Sequence, residues 1–281
     1  MPDPGHGRTS GKEIEVNGRS DAVNGTDGMD RGRFAQPVRR GEEVWRLRHQ
    51  QATGPYELLR HFADVGCTLT PRYLGPSPDG QRDRYSWIPG QTGFPPYTDD
   101  IRSVRALTSV AEAVRQVHDA SAHFGGSPGL TWARAEVSAP VTVDCIGHGD
   151  LTPWNIVFRG TEVAGIIDWD TAAPSNRVWD LSYAAFQFVP LHADAGLPAW
   201  GWTAPPDRRA RLRELLAAYG AGVSAGELLD ACAVRLAGMA AFMEAAVRGG
   251  DLRYRVHLAE GHAAAYRAAA ASVLALDRAC I

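Results

Sequence analysis

IGHGDLTPWNIVFRGTEVAGIIDWD, residues 146–170, is the stretch whose reading decides the fold. Ile156-Val157-Phe158 is a short apolar strand, Arg159-Gly160-Thr161 can turn, and Val163–Ile167 is the return strand. An antiparallel hairpin brings the residue before its first strand and the residue after its second to the same end. Those residues are Asn155 and Asp168. An amide oxygen and a carboxylate oxygen are hard ligands. Such a pair suits Mg²⁺, which takes one or two protein groups and completes its shell with phosphate oxygens and water. Asp150 lies on the loop leading into the hairpin and can face the same pocket without binding the metal. Asp170 is open between a second metal ligand and a solvated turn residue.

Working outward, the chain has 281 residues, enough for one large domain or two modest ones, and 44% of them are hydrophobic, so it can bury a core. A formal net charge of −3 implies no polyanionic partner, and nucleic acid is not expected. The cysteines, Cys67, Cys145, Cys232 and Cys280, are scattered without any CxxC pair, which fits a reduced, cytoplasmic protein. No apolar run reaches the roughly 18 residues of a membrane span, and the N-terminus lacks the apolar segment of a signal peptide. Lys12 is the sole lysine. Arginine therefore has to take any other lysine role.

The organisation expected is α+β. Residues 1–32 read as a mobile polar tail, with one strand at Glu13–Val16. The segment 37–48 reads as two strands around a Gly-Glu-Glu turn. GPYELLRHFADVG (54–66) reads as a helix ending at Gly66, and PRYLG and DRYSWI as strands joined by a Pro-Asp-Gly turn. The break IPGQTGFPPY (88–97) then leads into helices. One runs from a Thr98 cap to near His118-Asp119, and others cover 179–188, 207–219, 225–248 and 253–277. Ser224 and Glu227 form a capping-box pattern ahead of the 225–248 helix. This gives a small strand-rich lobe over 33–87 and a larger helical lobe over 88–281, with a joint near 86–90.

His148-Gly149-Asp150 with Asn155, followed by Ile167-Asp168-Trp169-Asp170, resembles the catalytic loop and metal site of the aminoglycoside phosphotransferase family, small-molecule kinases of the protein-kinase-like fold. Val117–Ser121 and Val178–Leu181 resemble further family segments at family-like spacing, and the resemblance extends over about 35–250. It implies a two-lobed fold and an ATP- or GTP-dependent transfer of phosphate to a hydroxyl of a small molecule. Asp150 would orient that hydroxyl and accept its proton. Asn155 and Asp168 would hold Mg²⁺ on the nucleotide phosphates. The backbone of the joint, Tyr85, Ser86, Trp87 and Ile88, would meet the adenine. His148 and Asp180 would support the loop rather than react.

The small lobe departs from the family pattern. It has no strand lysine for the α- and β-phosphates and no GxGxxG loop. Arg46, in the strand VWRLR, is the first candidate for the phosphate contact and Arg48 the second, with Glu57 as a residue that could orient it. Trp200 and Trp202 are candidates for an acceptor wall. The acidic residues that could hold a polycationic acceptor (Asp194, Asp207, Glu227, Glu244 and Asp251 among them) show no visible cluster in sequence. The departures leave open a second class, a non-catalytic nucleotide- or partner-binding protein on the same fold.

Overall fold

The computed structural model describes residues 14–15, 37–48, 52–126, 129–132, 137, 142–220 and 222–276. The expected tail, apart from Ile14–Glu15, lies outside the described residues, as do Lys12 and Cys280. The described chain divides into two compact units, one holding the residues before Gln50 with Pro71–Trp87, the other Gln51–Thr70 with the residues from Ile88 onward.

The first unit is an antiparallel sheet. Its strands are β1 (Ile14–Glu15), β2 (Val38–Arg40), β3 (Glu43–Leu47), β4 (Tyr73–Pro76) and β5 (Arg82–Ser86), in the order β1-β2-β3-β5-β4. The β2–β3 hairpin turns at Gly41, whose φ of 62° a side chain would oppose. Trp45 packs under the Arg40 guanidinium at 4.3 Å. On β5, Asp83 is buried; it accepts from the Tyr73 hydroxyl at 2.8 Å and lies 3.7 Å from the Arg48 guanidinium. Ser86 N–H donates to Arg72 O and Trp87 N–H to Glu42 O, so two amides of the expected adenine-facing segment are engaged within the sheet.

In the second unit, α1 (Gly54–Asp64) starts with Pro55 in its first turn, where the missing N–H costs nothing. By position in the sequence this helix falls in the small lobe, 33–87. It groups instead with the larger unit because its apolar face, Leu58, Leu59 and Phe62, is buried and Phe62 meets the Trp169 ring at 5.0 Å. Glu57 pairs with Arg60 of its own helix. The remaining strands of this unit are β6 (Gln91–Thr92), β7 (Cys145–Gly147), β8 (Ile156–Arg159), β9 (Glu162–Ile166) and β10 (Ala173–Ser175). They form a β6-β8-β9 sheet and a separate β10-β7 pair.

The expected helix from Thr98 is two helices, α2 (Asp99–Arg102) and α3 (Val104–Ser121). Ser103 breaks them. Its backbone is extended at ψ 157°, and its hydroxyl accepts from Ala106 N–H at 3.0 Å as a fresh N-cap. The helices α4 (Arg177–Phe188), α5 (Arg208–Tyr219) and α6 (Ala225–Arg248) lie where periodicity predicts them, and the Ser224–Glu227 capping box forms. The expected helix over 253–277 is a 3₁₀ turn followed by α7 (Arg255–Ala259) and α8 (His262–Leu274), separated at Gly261 with φ 83°. α6 packs against α8 and α4, and α3 against α5. Among the described residues no helix is long and apolar enough to cross a membrane.

Candidate active site

The hairpin predicted from residues 156–167 is the β8–β9 pair. Ile156 faces Ile166 and Arg159 faces Glu162 across a two-residue turn at Gly160-Thr161, with an irregularity beyond Val157. At its open end Ile167 N–H donates to Asn155 O at 2.8 Å. Register therefore places Asn155 opposite Ile167, and Asp168 one residue further on. Asp168 is the only non-glycine described residue with positive φ (65°, ψ 61°), a left-handed conformation that aspartate tolerates better than most side chains. It leads directly into a 3₁₀ turn at Trp169–Thr171.

Asn155, 5% exposed at the end of the Pro153–Asn155 turn, is fixed by its own amide. Its Nδ2 donates to the Asp150 carbonyl and to Asp150 Oδ2, both at 2.9 Å. With the amide nitrogen committed to Asp150, Oδ1 lies on the other side of the amide group from that contact. The same carbonyl of Asp150 accepts from Thr152 N–H. The loop is thus closed on itself, and the Asp150 carboxylate is held by a donor rather than left to find a rotamer.

His148 joins this loop to the strand end that precedes Asp168. Asp150 N–H donates to His148 Nδ1 at 3.1 Å, so Nδ1 is unprotonated. Nε2 then carries the hydrogen and donates to Ile167 O at 2.8 Å. One neutral imidazole spans from Asp150 to the residue before Asp168. Its ring packs edge-on against Trp169 at 4.7 Å, and Trp169 Nε1 donates to Ile166 O. Thr171 Oγ1 donates to His148 O from the other side.

Asp180, near the start of α4, is buried beneath the loop. Its Oδ2 accepts from His148 N–H at 2.9 Å and its Oδ1 from Gly149 N–H at 2.8 Å. His118 Nε2 stands 3.1 Å from Oδ2, and Tyr219 Oη 2.9 Å from His118 Nδ1. Burial opposes the charge on Asp180. The His118 hydrogen bond and charge, with the Arg235 charge, outweigh it and hold the carboxyl well below the usual carboxylate range. The backbone here leaves no room for side chains: a Cβ on Gly147 would lie 2.9 Å from Asp180 Cγ, and one on Gly149, at φ 84°, 2.6 Å from Thr171 O.

Arg235 also belongs to the site, although no motif marks it. On α6 it is 7% exposed and donates to Trp179 O at 3.1 Å and to Gly149 O, while its guanidinium lies 4.3 Å from the Tyr183 ring centroid. A signal was present. Residue 235 is seven positions from Leu228 and next to Leu236, on the buried stripe of its helix, where a charged side chain calls for a partner.

The structure therefore brings Asp150, Asn155 and the Ile167–Asp168 corner together. Arg46 and Arg48 belong to the other unit, in or beside β3, with Arg48 near Asp83. Ile88 is a core side chain of the second unit, filling the space that Gly165 leaves. Among the described residues no group of three or more His, Cys, Asp or Glu is placed to hold a metal ion. An amide paired with a carboxylate is instead the sparse oxygen set that Mg²⁺ accepts when phosphates and water supply the rest.

Residues 130–227 match the family described as "Phosphotransferase enzyme family". The trifolitoxin immunity protein of Rhizobium leguminosarum bv. trifolii is 30% identical over 188 residues, which are 65% of this chain and 69% of that protein. Spectinomycin phosphotransferase, solved with ADP and spectinomycin, superposes with a TM-score of 0.58 at 14% identity, covering 89% of this chain and 91% of that one. A choline/ethanolamine kinase family protein from Mesorhizobium loti gives 0.57 at 16% identity, covering 87% and 86%. At these identities the solved structures establish the architecture, a kinase-like α+β fold with a small antiparallel sheet and a larger helical part, as the resemblance implied.

Proposed function

Because the chain belongs to the Phosphotransferase enzyme family, we propose that it transfers the γ-phosphate of ATP or GTP to a hydroxyl of a small molecule, an antibiotic among the candidates. The observation that carries this reading is the Asn155 amide clamped on Asp150, with the Ile167–Asp168 corner hydrogen-bonded beside it. Phosphoryl transfer demands little covalent help and much alignment and charge neutralisation. Asp150, held at a fixed angle, orients the acceptor hydroxyl and takes its proton. Asn155 Oδ1 and the Asp168 carboxylate would be the two protein ligands for the metal, and His148, bonded to Asp150 N–H and Ile167 O, ties the corner before Asp168 to Asp150. A magnesium ion held there would neutralise charge on the nucleotide phosphates. Arg46, with Arg48 second, takes the phosphate contact that a strand lysine would make, and the backbone of Tyr85–Ile88 receives the base. We place the reaction in the cytoplasm, where scattered unpaired thiols such as the buried Cys145 and Cys232 stay reduced.

The relative named an immunity protein makes protection from a toxic compound a fitting setting for such a transfer. The same name also favours a second reading, in which the fold binds nucleotide or a partner without chemistry. A screen of hydroxyl compounds with Mg-ATP and Mg-GTP separates the two. The proposal expects nucleoside diphosphate release matched by a phosphorylated acceptor. Nucleotide binding with no acceptor modified would support the non-catalytic reading.

A further inference from the structure

We propose that Asp83, rather than Glu57, is the positioning residue for the phosphate contact of the small unit, its buried carboxylate anchoring the arginines Arg46 and Arg48. This rests on the phosphotransferase reading and deepens its nucleotide side.

The register of the sheet sets the arrangement. Across β3 and β5, Val44 lies opposite Tyr85 and Arg46 opposite Asp83. Cross-strand partners project to one face of a sheet, and so do residues two apart along a strand. The pairing continues past the end of β3, where Arg48 N–H donates to Gln81 O at 3.1 Å. Arg46, Arg48, Asp83 and Tyr85 therefore share a face. Tyr85 begins the segment proposed to receive the base, and the Arg46–Asp83 pair stands two residues along the strands from it, about 7 Å.

The arginines of the opposite face are committed to the sheet itself. The Arg40 guanidinium lies 4.3 Å and the Arg84 guanidinium 6.0 Å from the Trp45 ring. Arg84 also donates to Leu74 O at 3.0 Å and to Pro76 O at 3.3 Å, and stands 3.6 Å from the Glu43 carboxylate. The phosphate contact therefore falls to the face of Arg46 and Arg48.

On that face Asp83 is 2% exposed, and a buried carboxylate persists only when it is paired and hydrogen-bonded. The Tyr73 hydroxyl donates to its Oδ1 at 2.8 Å, and the Tyr73 and Tyr85 rings lie 5.6 Å apart, so the carboxylate is held in place from its own sheet. Arg48 meets it through Nε at 3.7 Å, and Arg46 is its cross-strand partner. An ion pair through Nε uses the inner nitrogen of the fork; the terminal nitrogens are a pair that phosphate takes bidentately. The Arg48 side chain is 39% exposed, so an anion can reach it from solvent. Glu57 is paired with Arg60 of its own helix, which groups with the other unit. An arginine already anchored loses less side-chain freedom when phosphate arrives.

Isothermal titration calorimetry on the full chain with Mg²⁺ tests this with ADP against adenosine and GDP against guanosine, pairs that differ only in their phosphates. In the wild type the diphosphate of one pair should bind at least about tenfold more tightly than its nucleoside, the share of one charge-assisted contact. Asp83→Asn keeps the shape and an oxygen for Tyr73 but removes the charge. It should weaken the diphosphate roughly three- to tenfold, the cost of ordering one released arginine, and leave the nucleoside unchanged. In the Arg46→Ala/Arg48→Ala background the same change should not weaken the diphosphate further, because neither arginine is left to position. The inference is overturned by diphosphate binding that is unchanged or tighter in Asp83→Asn, by an equal loss for diphosphate and nucleoside, by a further loss in the double-alanine background, or by a wild type that does not prefer either diphosphate. The expected pattern with no acceptor phosphorylated from Mg-ATP or Mg-GTP would sustain the role of Asp83 and count against transfer alone.

Discussion

The side-chain amide of Asn155 donates to Asp150 twice, to its carbonyl and to its carboxylate, each at 2.9 Å. One residue thereby holds the proposed base and carries the oxygen proposed as a metal ligand. Removing it should damage both roles. Asn155→Ala should lower turnover and also weaken Mg-nucleotide binding, whereas Asn155→Asp keeps a metal ligand but places a second carboxylate against Asp150. Steady-state kinetics with a magnesium titration checks this; a change confined to one of the two parameters would separate the roles.

Asp168 is tested best by Asp168→Asn, because asparagine accepts the left-handed backbone at φ 65° as readily as aspartate. The variant should fold normally and bind metal-free nucleotide as before, with Mg-ATP binding weakened roughly tenfold or more. Calorimetry with and without Mg²⁺ reads the difference. Unaltered magnesium dependence would remove Asp168 from the metal site.

Asp180 gives a prediction in pH. Its carboxyl is held below the usual range in the folded chain, although burial works against the charge, chiefly because His118 bonds to it. A depressed folded pKa stabilises above the unfolded value, near 4, and the benefit fades as pH falls below that. Asp180→Asn leaves the His148 and Gly149 amides competing for one acceptor oxygen, and should cost about 3–5 kcal/mol at neutral pH. The gap between wild type and variant should stay level from about pH 8 to 5 and narrow below about pH 4. Chemical denaturation across that range measures it, and a gap that widens on acidification would contradict the assignment.

Gly149→Ala combines a left-handed backbone, φ 84°, with a Cβ 2.6 Å from Thr171 O. The left-handed term alone costs about 1–2 kcal/mol, and the carbonyl cannot yield without releasing the loop. Urea denaturation should show at least that loss, accompanied by reduced turnover. A variant as stable and as active as wild type would mean the loop is more yielding than its contacts imply.

Much of this site was legible in sequence because its determinants are local. Gly160 marks the turn, the apolar runs on either side have strand length, and together they deliver Asn155 and the Asp168 corner to one end. What the sequence hid depends on distant partners. The β7–β10 pair joins Cys145–Gly147 to Ala173–Ser175, three-residue strands whose pairing shows only once the chain has folded. Ser103 was read within a single helical stripe because Ile101 and Val104 continue the period, yet its hydroxyl does better as a cap. Helix α1 looked like part of the small lobe by position. Only the partner of Phe62, the Trp169 ring, places it with the larger unit. Arg235 was hidden because its partners are two main-chain carbonyls, which carry no sequence signature.

Arg46 remains a proposal about the nucleotide. A charge-assisted phosphate contact contributes about 1.5–3 kcal/mol, so Arg46→Ala should raise the nucleotide Michaelis constant roughly ten- to hundredfold. Arg46→Lys should recover part of it, since lysine lacks the bidentate fork. Normal kinetics in the Arg46→Ala/Arg48→Ala double variant would assign phosphate neutralisation elsewhere.

The central claim is that Asp150 serves phosphate transfer to a hydroxyl, and one measurement addresses it directly. Transfer of label from γ-labelled ATP or GTP to a panel of hydroxyl acceptors should be followed for the wild-type chain and Asp150→Ala, with nucleotide affinity measured in parallel. The account predicts a labelled acceptor with the wild type, a fall of roughly 10²–10⁴ in turnover for the variant, and nucleotide affinity within a few-fold of wild type. Equal transfer by both proteins would contradict it.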